Sequence, residues 1–300
     1  SNFLICLTQS CEVHPLSLFI TKNPSLVSIF NIKNLLRKIY YHPIIFVLKL
    51  KIKKLKNNNL ILKEFLDNAF NLKSHLMEFF SMKESDLDEF LANAKMNLAN
   101  SHPGESLNDV KDFYSEIVGD LHVADLAAWH ITSKDYIFDT LKLQQSFSKD
   151  LVLDFGGGIG THALANAMSS KVKQVYFVDI NETNRNFVEY RARKLGVEKK
   201  LTFCKTIKDT QISQFDTVVC LDVLEHLADP ASQLEIFNKI MNTNSIALFN
   251  WYFYKGENNE YPFHIDDITI VEKFFKTIQS NFIEIFHPIL ITTRAYKKIR

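Results

Sequence analysis

Half of the eight glycines in this 300-residue chain fall within five positions, Gly156–Gly160, inside the stretch LVLDFGGGIGTHA (151–163). An apolar run containing Asp154 leads into them, and a helix-forming segment follows. Glycine tolerates positive φ and lets main-chain N–H groups approach a ligand closely. The stretch therefore predicts a strand, a tight turn built for close approach, and a helix. Downstream, short apolar or β-branched runs alternate with helical segments of about a dozen residues. The expected strands are Leu151–Phe155, Gln174–Asp179, Leu201–Cys204, Thr217–Leu221 and Ser245–Asn250. That alternation specifies a doubly wound, parallel α/β sheet. Two last runs, FIEIFHP and ILITTRAYKKI, follow each other with little between them, which predicts an antiparallel hairpin at one sheet edge.

The first half reads differently. In LILKEFLDNAFNLKSHLMEFFSM, Leu62, Phe65, Leu66, Phe70 and Leu72 recur at helical spacing as one apolar stripe. Ser85 and Asp86 offer caps for a second helix, which SHPG (101–104) stops. A third helix is expected from Ser106 through Phe113, Tyr114 and Ile117, and a fourth over DLAAWHITSKDYIFDTLKLQQ (125–145). Three regions result: a basic N-terminal extension (1–58), a helical lid or substrate region (59–145) and the α/β domain (146–300). The extension carries nine Lys/Arg against Glu12 alone, and residues 59–150 carry sixteen acids against eight lysines, so the two have opposite charge of +8 and −8. A net charge of +1 gives no electrostatic reason to expect nucleic acid. The longest N-terminal apolar run, YYHPIIFVLKL (40–50), is far short of the ~20 residues that span a bilayer. The four cysteines, Cys6, Cys11, Cys204 and Cys220, show neither disulfide nor zinc spacing, which suits a cytoplasmic setting.

Two ligands compete for the glycine turn. GIGTHA (158–163) satisfies the dinucleotide pattern G-x-G-x-x-A, and Asp154, Gly156, Gly158 and Gly160 satisfy the S-adenosylmethionine pattern D-x-G-x-G-x-G. Asp154 favours the second. A carboxylate would repel a pyrophosphate at the helix N-terminus but attract a methionine amino group. Asp179, closing the second strand, could accept from ribose hydroxyls in either case. With VLDFGGGIG, VYFVDIN and FDTVVCLDVLEHLADP in this order, residues from about 105 to 300 resemble a class I S-adenosylmethionine-dependent methyltransferase. The resemblance implies a Rossmann-like sheet, mostly parallel with an antiparallel terminal strand, joined to the helical N-terminal region. It also implies a site: Asp154 at the methionine amino group, Gly156, Gly158 and Gly160 against the methionine, Asp179 on ribose and Ile180 against adenine. Thr206, Ile207 or Asp209 would stand where the family often has an acid for adenine, and Asp222 and Val223 would lie near the sulfonium.

His226 and His264 are the candidate bases. Tyr114, Trp129, Tyr136 and Tyr252 are aromatic candidates for core or acceptor contacts. Methyl transfer needs alignment more than a metal or covalent nucleophile, and no metal-ligand cluster is legible in the sequence. A carboxylate acceptor would need no base, because it is already ionised; an amine or phenol would. The layout resembles methyltransferases that cap peptide natural products, which implies a small-molecule or short-peptide acceptor and a methyl ester product. Other O- or N-nucleophiles, a non-catalytic cofactor-binding module and a homodimer remain compatible with the sequence.

Overall fold

The computed structural model describes residues 59–100, 112–257 and 261–299. The basic extension 1–58, the SHPG stop and the start of the third expected helix lie outside them. The backbone divides after Glu64, and from Phe65 onward the helical segment and the sheet form one unit.

The helices preceding the sheet are α1 (Leu60–Asn68), α2 (Leu72–Phe79), α3 (Glu84–Asn100), α4 (Gly119–Thr132) and α5 (Lys134–Phe147), with a π-helical turn at Phe113–Ile117. Two of them correct the sequence expectation. The first stripe is not one helix: Ala69, Phe70 and Asn71 adopt φ of 53°, 57° and 56° and separate α1 from α2. Non-glycine residues enter that region at a cost of roughly 1–2 kcal/mol each, so something must hold them. Asn68 Oδ1 accepts from the Asn71 N–H at 2.9 Å, and the buried Arg191 guanidinium donates to the Ala69 carbonyl at 2.9 Å. The segment 125–145 likewise lies on two helices, broken at Ser133 (φ −105°, ψ 31°). There the Thr132 hydroxyl bonds back to the carbonyls of Ala128 and Trp129, competing with the helix ladder.

The sheet is built from β1 (Asp150–Phe155), β2 (Val172–Val178), β3 (Leu201–Cys204), β4 (Phe215–Cys220), β5 (Met241–Phe249), β6 (Phe282–Phe286) and β7 (Arg294–Lys298). Its order is β3-β2-β1-β4-β5-β7-β6. The first five strands are parallel, and β7 runs antiparallel to both β5 and β6, with Leu248 opposite Ala295. The central strands read as continuous apolar runs because both faces are covered. Val152, Val175, Phe177 and Val219 face the side of α6 (Thr161–Met168) and α7 (Glu182–Lys194). Leu153, Val218, Ala247 and Phe249 face the side of α8 (Pro230–Ile240) and α9 (Ile268–Asn281). Strand β6 buries only Phe282, and its exposure explains why the hairpin ends the sheet there. The order reverses between β2-β1 and β1-β4, so the C-terminal ends of β1 and β4 form the switch point at which such sheets bind ligands.

Candidate active site

Polar residues stand at the C-terminal ends of four strands: Asp154 in β1, Asp179 after β2, Asp222 after β4 and Asn250 after β5. Each lies where a strand leaves the core, at the sheet end where such folds bind ligands, and Asp154, Asp179 and Asn250 are buried there. Asp154 is 3% exposed. Its carboxylate accepts from the Ala163 N–H, yet Oδ2 has no partner. Burial, and next the neighbouring Asp179, push its pKa up to about 7. A buried carboxylate with a spare oxygen is stabilised most by a cation. That fits the ammonium of the expected S-adenosylmethionine.

The loop after β1 is shaped by contacts as much as by charge. Gly156 and Gly160 sit at φ of 69° and 75°, and a Cβ would lie 2.4 Å from Val223 Cγ2 at the first and 2.4 Å from Val188 Cγ1 at the second. The loop is tied down at two points. Gly158 donates its N–H to Asp179 Oδ2 at 2.8 Å, and the Ile159 carbonyl accepts from Arg191 Nη1 at 2.8 Å. Arg191 is fully buried and burial lowers it to about 9.

Asp179 is more occupied than a bare ribose ligand would be. Its Oδ1 accepts from the Asn181 N–H at 2.8 Å and from Asn184 Nδ2 at 3.3 Å, and that amide also lies 3.1 Å from His122 Nδ1. Burial dominates these bonds and raises Asp179 to about 6. A carboxylate has about four acceptor positions, so capacity for ribose remains. The half-buried Ile180 follows it, its carbonyl taking Arg185 Nη1 at 3.0 Å. Thr206 and Asp209 are engaged with one another, Thr206 N–H and Oγ1 both donating to Asp209 Oδ2, as a capping box over Ile207–Thr210.

Asp222 adopts φ 54° and is held by Asn250, which accepts the Asp222 N–H at 2.6 Å and donates Nδ2 to Asp222 Oδ1 at 2.7 Å. Asn250 Nδ2 also lies 3.1 Å from the Tyr136 hydroxyl, itself 2.7 Å from Thr292 Oγ1. Asp222 is open to solvent, yet desolvation by surrounding protein pushes its pKa up to about 6.

Beyond Asp222 the chain makes a short 3-10 turn, Leu224–His226. His226 donates Nδ1–H to the Phe263 carbonyl at 3.1 Å and its ring lies 4.8 Å, edge-on, from that of His264. His264 Nδ1 in turn lies 3.1 Å from the Tyr254 carbonyl. Burial, then His264, lowers His226 to about 3, and burial lowers His264 as well. Both rings are neutral at pH 7. Glu225 is 1% exposed, accepts from the Tyr252 N–H and has no partner at Oε2. Aromatic rings surround the pair: Tyr114 at 5.6 Å from His226, and Tyr261 at 5.1 Å and Tyr252 at 5.7 Å from His264. Tyr252, Tyr254 and Tyr261 are 42–44% exposed, a rim rather than a core. Trp129 lies apart from this rim, on α4 against His130 and Tyr136.

The structure thus brings together the loop glycines, Asp154 and Asp179, and separately His226, His264, Tyr114 and Tyr252. Sequence reasoning missed Arg191, Asn184, His122 and Asn250. Asn250 carried a signal, a polar residue ending an apolar strand as Asp154 and Asp179 do. Arg191 carried none, because a helical arginine defaults to solvent and its three carbonyl acceptors, Ile159, Ala69 and Phe70, are distant in sequence.

A family profile described as a methyltransferase domain matches residues 129–263. Over 97 residues, 32% of this chain and 39% of the relative, the chain is 30% identical to a ubiquinone biosynthesis O-methyltransferase of Methylococcus capsulatus. Over 101 residues, 33% and 41% of the two chains, it is 31% identical to the protein of that name from Idiomarina loihiensis. The chain spans about two-fifths of the length of these curated relatives. A solved S-adenosylmethionine-dependent methyltransferase from Clostridium acetobutylicum is 16% identical, covering 55% of this chain and 89% of that one at a TM-score of 0.39. The methyltransferase-domain profile lies over the glycine loop and all four polar strand ends, so this part of the chain is similar to a methyltransferase domain.

Proposed function

We propose that the protein methylates an oxygen of a small acceptor bearing an ionisable hydroxyl of phenolic type. The observation that carries this reading is the neutral His226–His264 pair beside the exposed rings of Tyr252, Tyr254 and Tyr261. When bound, S-adenosylmethionine supplies an electrophilic methyl group. Asp154 receives its ammonium, the Gly156–Gly160 loop, packed on Val223, Leu126 and Val188, offers its main chain to the methionine portion, and Asp179 accepts from the ribose. Ile180 packs on adenine with Thr206 and Ile207 at its edge, while Asp222 and Val223 line the methionine side. A phenol must lose its proton to become a good nucleophile, and a base within hydrogen-bond reach contributes about 10²–10⁴-fold. His226, lowered to about 3, is too weak a base at neutral pH, so His264 takes the proton and His226 positions it. The relatives are named as O-methyltransferases, which supports oxygen as the accepting atom. The buried free thiols of Cys204 and Cys220 support a reducing, cytoplasmic setting.

A carboxylate acceptor, giving a methyl ester on a metabolite or peptide C-terminus, is the second reading. Lys95 favours it, its Nζ standing 5.2 Å over the Tyr261 ring at the rim, as a cation for such a group. Radiolabelled methyl transfer to simple phenols and to short peptides with free or blocked C-termini separates the two. His264→Gln should lower phenol methylation at pH 7 by about 100-fold, with recovery at a pH where the phenol ionises unaided. Base-labile label on free C-termini, insensitive to His264→Gln, would replace this reading with the second.

A further inference from the structure

We propose that His122 is a positioning residue for the cofactor's ribose: standing on α4, ahead of the sheet, it sets the Asp179 carboxylate through Asn184. The inference rests on the reading in which S-adenosylmethionine lies on the glycine loop and Asp179 meets its ribose. His122 and Leu126 are four residues apart, about one turn of α4, so both leave the same face of the helix. That face covers the cofactor-binding elements. Leu126 Cδ1 lies 2.7 Å from where a Cβ on Gly158 would stand, so Leu126 packs on the glycine loop. At the start of α4, Gly119 adopts φ 40°, and a Cβ there would lie 3.9 Å from Thr183 Oγ1, in the first turn of α7. His122 falls between these two contacts in sequence, and its Nδ1 is 3.1 Å from Asn184 Nδ2.

The direction of these hydrogen bonds follows from the chemistry of the three groups. Asn184 Nδ2 lies 3.3 Å from Asp179 Oδ1. A flipped amide would set its carbonyl oxygen against the carboxylate, so the nitrogen must face Asp179. An amide nitrogen only donates, so its second hydrogen goes to His122 Nδ1, which accepts. The imidazole can accept because burial lowers it to about 4, leaving it neutral at pH 7 with the proton on Nε2. Asn184 is fully buried, and its Oδ1 has no hydrogen-bond partner among the described residues, so the side chain's hydrogen bonding rests on its two donors. Removing the His122 acceptor leaves a buried amide hydrogen unpaired and loosens the amide. Asp179 then keeps the main-chain donors of Gly158 and Asn181 but is less firmly turned by Asn184 and less readily ionised. Ribose hydroxyls need that carboxylate charged and in a fixed direction; the methionine portion does not.

The test measures by calorimetry how tightly the full chain binds S-adenosylhomocysteine and its 2′,3′-dideoxy analogue, which lacks the ribose hydroxyls. His122→Phe keeps a ring but no acceptor, and should weaken S-adenosylhomocysteine by about 3–10-fold, the loss of one hydrogen bond. It should leave the affinity for the dideoxy analogue unchanged, which also shows that the variant is folded. His122→Asn places Oδ1 where Nδ1 stands and should restore S-adenosylhomocysteine to within about 2-fold of wild type. In an Asp179→Asn background, His122→Phe should cost nothing further, because the group it acts through is already changed. Undiminished S-adenosylhomocysteine affinity in His122→Phe, an equal loss for both probes, or the same loss in the Asp179→Asn background overturns the inference and leaves the cofactor reading standing. A wild type that binds neither probe overturns the cofactor reading, and this inference with it.

Discussion

Replacing Asp154 with asparagine should stabilise the cofactor-free protein above neutral pH and weaken its cofactor binding at the same time. Moving a carboxyl from 3.8 to about 7 by burial means that its ionised form costs the folded state about 4 kcal/mol. The sign follows from proton linkage. The folded state holds the proton more tightly than the unfolded chain, so this group erodes stability as pH rises from about 4 to about 7, and the full penalty persists above. The introduced amide would not titrate. It keeps an acceptor for the Ala163 N–H but places an unpartnered Nδ2 where Oδ2 stands, which costs about 1–3 kcal/mol at every pH. Comparing pH 8 with pH 4.5 removes that constant part: the variant should gain about 3 kcal/mol relative to wild type between the two. For a chain of this size that is a differential Tm of roughly 6–12 °C, readable by calorimetry without cofactor. Titration with S-adenosylmethionine at pH 8 should show the opposite effect, a loss of about 1.5–3 kcal/mol for a hydrogen bond to a charged group. A difference in Tm that does not change with pH would refute the burial argument. Unchanged cofactor affinity would refute the assignment of the ammonium to Asp154.

Three other substitutions probe the scaffold. Gly160→Ala places a Cβ 2.4 Å from Val188 Cγ1 at φ 75°, and should cost about 2–4 kcal/mol from overpacking and backbone strain together, with cofactor binding lost first; a urea midpoint like that of wild type would show that the loop yields. Arg191→Met removes the donors to Ile159, Ala69 and Phe70 and should destabilise by about 2–4 kcal/mol, seen as a lower urea midpoint; a neutral result would mean that water replaces the guanidinium. Asn250→Ala frees Asp222 from both of its bonds and should cost about 1–3 kcal/mol in urea unfolding, a loss that Tyr136→Phe should not reproduce because Asp222 keeps its partner there.

Much of the domain was legible because its signals are local. Each strand of the parallel sheet is a short apolar run, and the run is apolar throughout because helices cover both faces. The glycine turn announces itself by composition, and Asp154 by its place just before it. The helices ahead of the sheet were less legible. Their apolar spacing continues through Phe70 and Leu72, but the backbone turns left-handed there to feed carbonyls to Arg191, a residue about 120 positions away. The sequence shows a stripe; only the folded chain shows what the stripe must bend around.

The candidate site divides along the same line. Local sequence is enough to dictate the order of strands and helices, the glycine cradle and the carboxylates at the strand ends, since these depend on residues within one turn or one strand of each other. Long-range packing is what makes Asp179 brace the loop through Gly158, lets Asn250 hold Asp222, and brings His264 to Glu225 and His226 across 38 residues. Those contacts depend on how far two loops reach at the sheet edge and on how deeply each group is desolvated, and neither quantity is carried by local spacing.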